Sequence, residues 1–175
     1  DLKNISHRGP DFSSFINGDS FYLGHTRLSI IDLSSNGNQP MYSVDKRYVI
    51  VFNGEIYNHL ELREKYIKNH NFISTSDTET LLYGLIYMGE SFLNKLDGIF
   101  AFSFYDTKTS DFIIARDHFG VKPLYYYCNN SEIYFSSESK GFIDYLPSHT
   151  INENSLINYL NFLWSPGELT PLKEI

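Results

Sequence analysis

Cysteine is nearly missing from this sequence: Cys128 is the only one in 175 residues, alongside 2 Met and 1 Trp. A lone thiol cannot close an intramolecular disulfide, and no Cys/His cluster stands at zinc-ligand spacing, so covalent and metal staples are excluded and a reducing compartment, the cytosol, is the expected location. A basic surplus is missing too. Lys+Arg number 14 against Asp+Glu 21, for a formal charge of -7 with no basic block, which removes the electrostatic footprint that nucleic acid or an anionic membrane surface requires. No apolar run approaches the length of a membrane span, and Asp1-Leu2-Lys3-Asn4 does not resemble a signal peptide. There is no initiator Met, and Pro171-Leu172-Lys173-Glu174-Ile175 stops with no element complete, so the chain reads as a fragment of something longer. Small-molecule chemistry or a protein partner remains.

Aromatic residues, by contrast, are plentiful. The 14 Tyr and 14 Phe, in a chain 42% hydrophobic, suit one compact domain whose β-strands are covered on both faces.

The chain is organised around Val49-Ile50-Val51-Phe52-Asn53-Gly54-Glu55-Ile56-Tyr57-Asn58, a β-branched apolar run stopped by Asn-Gly and followed at once by a helix start. Asn-Gly by itself is the commonest hairpin turn pair. At a strand end it also sets a carboxamide beside an N–H that no Cβ shields, the donor pair an oxyanion needs. Upstream, after the turn at His7-Arg8-Gly9-Pro10-Asp11, Ser20 to Asp32 reads as a strand carrying Arg27 inward. A buried guanidinium is costly unless paired, and both an internal carboxylate and a ligand carboxylate would satisfy it. Ser34 to Pro40 is loop by composition.

Asn58-His59-Leu60-Glu61 signals an N-cap and capping-box acid for a helix to about Lys68, and Ser76-Asp77-Thr78-Glu79 repeats the signal before a helix from Thr80 to Met88, ended by Gly89. Asp77 complements the helix dipole there, and it would equally hold a ligand ammonium group. From Gly98 the pattern becomes a meander, with Phe100, Phe102 and Phe104 on one face of a strand and Ile99, Ala101 and Tyr105 on the other. A strand apolar on both faces must be covered on both. Arg116-Asp117 reads as a sheet-end ion pair. Asn154 to Leu163 is a last helix with Leu156, Ile157, Leu160 and Leu163 apolar, broken by Pro166-Gly167. The fold class is therefore α+β, two stacked antiparallel sheets flanked by helices.

Seven ordered motifs then carry a resemblance: His7-Arg8-Gly9-Pro10-Asp11, His25-Thr26-Arg27-Leu28-Ser29-Ile30, Gln39-Pro40-Met41, Asn53 to Asn58, Ser76-Asp77-Thr78-Glu79, Gly98 to Phe102, and Arg116 to Tyr125. The set resembles the class II glutamine amidotransferase domain of glutamine-hydrolysing asparagine synthetases. The resemblance implies an Ntn-hydrolase fold, a four-layer αββα sandwich, over residues 1–150, with 151–175 leading into a synthetase domain. It implies L-glutamine as substrate, no cofactor in this domain, and ATP and Mg²⁺ used by the C-terminal synthetase domain that amidates aspartate. By position, Arg27 would hold the α-carboxylate of glutamine with Leu28, Ser29, Ile30 and Ile31 beside it, and Asp77 the α-ammonium. Asn53 and Gly54 would form the oxyanion hole and Glu55 would help bind substrate. A homodimer is left open.

In that family an N-terminal cysteine attacks the amide, with its own α-amino group as base. This chain begins at Asp1 without the family's Met-Cys-Gly-Ile opening. Cys128, inside an expected strand and without an α-amino group of its own, reads as a small core residue. Delivery of ammonia to a sugar or other acceptor in surface-polysaccharide synthesis, and a non-catalytic binding module, are the alternative readings. An encoded Met-Cys-Gly upstream of Asp1 separates enzyme from module.

Overall fold

The computed structural model describes residues 2–163, 167 and 169–175. Its elements are β1 (Phe12–Asn17), β2 (Tyr22–Arg27), β3 (Met41–Tyr42), β4 (Tyr48–Ile56), α1 (His59–Tyr66), α2 (Asp77–Met88), β5 (Gly98–Asp106), β6 (Phe112–Arg116), β7 (Tyr125–Cys128), β8 (Ile133–Ser136) and α3 (Glu153–Phe162). The chain divides into two compact units, Leu2–Pro123 and Leu124–Ile175.

In the first unit an antiparallel sheet runs β3-β4-β5-β6. Alternation divides its two long strands as the sequence requires. Ile50, Phe52, Ile56, Phe100, Phe102 and Phe104 join Leu62 of α1 and Leu81, Leu82 and Leu85 of α2 in the main core. The opposite face carries Val49, Val51, Ala101, Ser103 and Tyr105, all buried. The β1-β2 hairpin covers that side: the Phe21 ring packs at a tilt against Tyr105 with centroids 4.5 Å apart, and His25 reaches the Phe52 carbonyl. Helices, sheet and hairpin thus form successive layers, with β4 and β5 covered on both faces, as the aromatic pattern required.

Several local expectations are corrected by long-range pairing. Asn53-Gly54 does not end β4. The ladder continues through Gly54↔Phe100 and Glu55↔Ile99 to Ile56↔Gly98, so the hairpin preference of Asn-Gly is overridden by a partner strand distant in sequence. Gly54 is required by that partner: at φ +154 a Cβ would lie 2.1 Å from the Ile99 carbonyl oxygen. The strand expected from Ser20 to Asp32 ends at Arg27, where β1, which the sequence pattern did not single out, runs out of residues to pair. Asn58 does not cap α1 with its side chain; it accepts from Asp97 N–H (3.1 Å) and donates to the Lys95 carbonyl (2.9 Å). Ser76 does cap α2, accepting from Thr78 N–H.

Arg116-Asp117 is not an ion pair holding the sheet end. The Asp117 carboxylate accepts instead from the N–H groups of Phe100, Phe119, Val121 and Lys122 at 2.9–3.2 Å. Burial pushes its carboxyl up, but these bonds outweigh burial and hold it below the usual carboxylate range.

In the second unit β7 and β8 pair antiparallel, and Tyr134 stacks between Tyr127 and Tyr145 at 5.9 and 5.4 Å. Cys128 is exposed and not a core residue, because the alternation that half-buries Tyr125 and Tyr127 turns Tyr126 and Cys128 outward. Helix α3 falls within one residue of its expected span, and Leu156, Ile157 and Leu160 on it, with Leu163 at its C-cap, are exposed. Of the break expected at Pro166-Gly167, Pro166 lies outside the described residues.

Arg47 forks onto Asp106, Nε donating at 3.0 and 3.1 Å and Nη2 at 2.6 Å, and this guanidinium holds the Asp106 carboxyl down to about 2. A depressed carboxyl stabilises the fold above its unfolded value near 3.8 and loses that contribution as pH falls toward 2. Arg47→Ala is therefore expected to flatten the dependence of unfolding free energy on pH between 4 and 2, read by urea titration at a series of pH values. An unchanged slope would assign the acid sensitivity elsewhere.

Candidate active site

The register of β4 decides which of its groups are free for chemistry. Phe100 gives its carbonyl to Asp117 N–H (2.7 Å) and its N–H to the Asp117 carboxylate (3.2 Å), both on the β6 side. Its partner Gly54 is then a non-hydrogen-bonded pair, and antiparallel alternation turns the N–H groups of Phe52, Gly54 and Ile56 to the edge away from β5. β3 pairs only with Val49 and Ile50 and leaves that edge open. Side chains cap two of its three N–H groups. Phe52 N–H donates to Gln39 Oε1 at 2.6 Å and Ile56 N–H to Asp77 Oδ2 at 2.9 Å. Gly54 N–H stands between them.

Arg27 ends β2 with 6% of its surface exposed. No carboxylate is among its bonded partners, which corrects the internal ion pair considered from sequence. Nη1 donates to the Ser34 carbonyl (2.8 Å) and Asn38 Oδ1 (2.7 Å), while Nη2 donates to the carbonyls of Ile31 (3.5 Å) and Asp32. The guanidinium is the template on which the 28–38 loop folds. Gly37 fits because a Cβ there would meet Nη2 at 2.4 Å. Within the loop Leu28 and Ile30 are exposed, Ile31 is half-buried, and Ser29 N–H donates to Asp11 Oδ2 at 2.7 Å. Asp32 Oδ2 accepts from Thr75 N–H (2.8 Å) and Asn36 Nδ2 donates to the Ile73 carbonyl (3.0 Å), tying this loop to the one that enters α2.

That second loop is built from charged side chains in the same way. Glu79 accepts from Ile73 N–H (3.0 Å), Ser74 N–H (2.8 Å) and Ser74 Oγ (2.6 Å), and Arg63 donates to the carbonyls of Ser74 (2.9 Å) and Ser76 (2.6 Å). Asp77 follows, 4% exposed, at the first position of α2. Burial pushes its carboxyl up against the opposing pull of the Ile56 N–H and of His59. His59, opening α1, is pushed down by burial, and its buried Nδ1 has no hydrogen-bond partner.

The structure therefore brings Arg27, Gly54 and Asp77 to one strand edge. Arg27 binds Asn38, the next residue Gln39 binds Phe52 and, through Nε2, Thr78 Oγ1 (3.3 Å), and Asp77 closes the row at Ile56. Asn53 is half-buried and, by strand alternation, projects to the face of β4 covered by the hairpin; Glu55, two residues on, is exposed. Sequence reasoning gave no role to Gln39, quoted only within the Gln39-Pro40-Met41 motif, to Asn38, in a stretch that composition marks as loop, or to Asp32, at the end of the expected strand. Among the described residues no group of His, Cys, Asp and Glu is set to hold a metal ion, and no helix is long and apolar enough to cross a membrane.

Solved structures share this fold. A glutamine phosphoribosylpyrophosphate amidotransferase from B. subtilis superposes with a TM-score of 0.68 at 20% identity, over 81% of this chain and 39% of that one. A structure described as the allosteric regulatory enzyme of purine biosynthesis gives 0.57 at 22% identity, over 70% and 29%. These likenesses are of fold alone, an α+β arrangement of antiparallel sheets and helices as expected from sequence. The model of the glutamine amidotransferase domain family matches residues 1–175, and the chain belongs to that family. It is 41% identical to asparagine synthetase [glutamine-hydrolyzing] 1 of Bacillus subtilis over 167 residues, and 41% identical to asparagine synthetase B [glutamine-hydrolyzing] of Escherichia coli over 167 residues. The same enzyme of Sandersonia aurantiaca is 44% identical over 143 residues. These matches cover 95%, 94% and 81% of this chain but 26%, 29% and 27% of the relatives, so the chain spans about a quarter of their length.

His25 supports the edge from the hairpin side, its Nε2 lying 3.2 Å from the Phe52 carbonyl, to which it donates. Burial lowers its imidazole from 6.5 to about 4, the Phe52 bond opposing and the Arg27 charge assisting. Because the unfolded chain takes up a proton that the folded one refuses, stability falls as pH drops from 6.5 to 4, by up to roughly 3 kcal/mol. His25→Gln, which keeps a donor for Phe52, is expected to remove that slope in denaturant titrations between pH 7 and 4. Retention of the full slope would mean that another group carries it.

Proposed function

We propose that this chain is the glutaminase part of a glutamine-hydrolysing asparagine synthetase acting in the cytoplasm, and that the β4 edge binds L-glutamine. The observation that carries the reading is a buried guanidinium whose bonded partners are all neutral oxygens, at one end of an edge that has a buried carboxylate at the other and the Gly54 N–H between. A cation taken out of water without a counter-charge is stabilised by an incoming anion, and a carboxyl raised by burial is stabilised by an incoming cation. A zwitterionic amino acid supplies both.

On this reading Arg27 attracts the α-carboxylate, with Leu28, Ser29, Ile30 and Ile31 alongside it, and Asp77 takes the α-ammonium. The side-chain amide oxygen then meets Gly54 N–H and the Asn53 carboxamide, whose hydrogen bonds strengthen as negative charge develops on that oxygen; one such donor is typically worth about 3 kcal/mol of barrier. Glu55 completes the rim. The thiolate that attacks the amide is not Cys128, which is exposed at the end of β7. On this reading the ammonia released serves an ATP- and Mg²⁺-dependent amidation of aspartate in the synthetase domain of the whole protein; similarity to relatives named as glutamine-hydrolyzing asparagine synthetases supports the ammonia's destination.

The 175-residue polypeptide is expected to bind L-glutamine and to release no ammonia from it. Calorimetric titration and an ammonia assay measure the two. Asp77→Asn should weaken glutamine binding by about tenfold or more, the loss typical of a charge-assisted bond. In amide hydrogen exchange, Phe52 and Ile56 should be protected in the free protein, and Gly54 should gain protection when glutamine is added. Absence of glutamine binding, or equal binding by Asp77→Asn, would defeat the reading.

A further inference from the structure

The donors along the β4 edge need something to hold them in register, because β3 begins only at Met41, opposite Ile50, and no strand pairs with Phe52 on that side. One side chain takes the missing strand's place. Gln39 is 6% exposed and sits where three elements meet. Its Oε1 accepts from Phe52 N–H at 2.6 Å, its Nε2 donates to Thr78 Oγ1 at 3.3 Å, and its backbone carbonyl accepts from Ser14 Oγ at 2.6 Å. His25 Nε2 holds the other edge group of the same residue, the Phe52 carbonyl, at 3.2 Å. Both polar groups that Phe52 turns to this edge are thus fixed by side chains.

We infer that Gln39 is a positioning residue for the side-chain amide of the substrate: by acting as a one-residue surrogate strand between β4 and α2, it fixes Gly54 N–H relative to Asp77. The inference rests on the glutamine reading. Gln39 touches no substrate; it acts through Phe52, two residues before Gly54, and through Thr78, the residue after Asp77. Successive edge N–H groups lie about 6.8 Å apart along a strand, so the Phe52 and Ile56 caps bracket the Gly54 donor from both sides. A hydrogen bond weakens steeply once its angle or length drifts, and an edge tethered at Ile56 alone permits that drift.

The test is calorimetric binding of two ligands to the 175-residue chain: L-glutamine, and L-norvaline, which has the same α-amino acid head and no amide. Wild type is expected to prefer glutamine by about tenfold or more, since a site built to hydrogen-bond a group discriminates against its absence. Gln39→Met keeps the length and removes both polar contacts. It should weaken glutamine by about tenfold while changing norvaline less than about threefold, whereas general loosening of the fold would weaken both equally. Gln39→Glu retains an acceptor for Phe52 N–H, and the Thr78 hydroxyl can turn to donate to its second oxygen, so it should recover most of the preference. If Gln39→Met does not fold, Thr78→Val cuts the other anchor and should reduce the glutamine-to-norvaline ratio without a matching loss for norvaline. An unchanged ratio in the folded variant, or parallel losses for both ligands, overturns the inference. Failure of wild type to bind glutamine at all overturns the glutamine reading itself, and is distinguishable because it needs no variant.

Discussion

The close approach of β4 and β5 at Gly54 is the constraint on which the rest depends. Nine residue pairs run from Tyr48↔Asp106 to Ile56↔Gly98 without interruption, and at Gly54 the two backbones come so near that a single added carbon would meet the Ile99 carbonyl at 2.1 Å. Parity then decides everything downstream. Side chains of even number on β4 enter the core with α1 and α2, and those of odd number face the hairpin. In the backbone, odd residues bond to β5 and even residues present their N–H groups outward. A slip of one residue would exchange both sets at once, moving Phe52 out of the helix-side core to the hairpin face and turning the Gly54 donor inward.

Charged residues in this unit are bonded mainly to the main chain. Arg27 takes three carbonyls and the Asn38 amide oxygen, Asp117 takes four N–H groups, Glu79 takes two, and Arg63 takes two carbonyls. The reason lies in the loops. Segments 28–38 and 73–76 have little ladder hydrogen bonding, so their polar groups must be satisfied by side chains or by water. A charged side chain that organises a loop keeps its charge, because amide dipoles solvate an ion without cancelling it. The bidentate Arg47–Asp106 pair shows the other outcome, in which two charges neutralise each other, the carboxylate keeping one further bond from the Lys108 N–H at 2.9 Å.

How far the sequence spoke depended on the range of the interaction. The two-faced pattern of β5, the start of α2 at Ser76 and the family motifs were legible because each is carried by neighbouring residues. The continuation of β4 past Asn53-Gly54 was not, since the local turn preference of that pair is reversed by Gly98–Phe100, more than forty positions away. Arg27 was seen to be buried, but its partners were misjudged: a guanidinium looks for carboxylates on paper, whereas carbonyls 4 to 7 residues on reach it first. Gln39 stood in a family motif but carried no role, because an amide in a Gly/Asn/Ser/Pro stretch shows no function until its partners on β4 and α2 are known. Cys128 was misplaced as core because strand membership was read without its alternation.

The choice of arginine at 27 follows from the same reasoning. Lysine would supply the same charge with three donors converging on one nitrogen, while the guanidinium spreads its donors over a planar fork. Four oxygens from Ile31, Asp32, Ser34 and Asn38 converge on its two terminal nitrogens, two on each. Only the fork can both close the loop through that many acceptors and remain a delocalised, weakly hydrated cation that tolerates burial. Folding of the 28–38 loop and retention of a positive charge at the β4 edge are therefore properties of one side chain, which makes the loop's shape and the site's electrostatics inseparable.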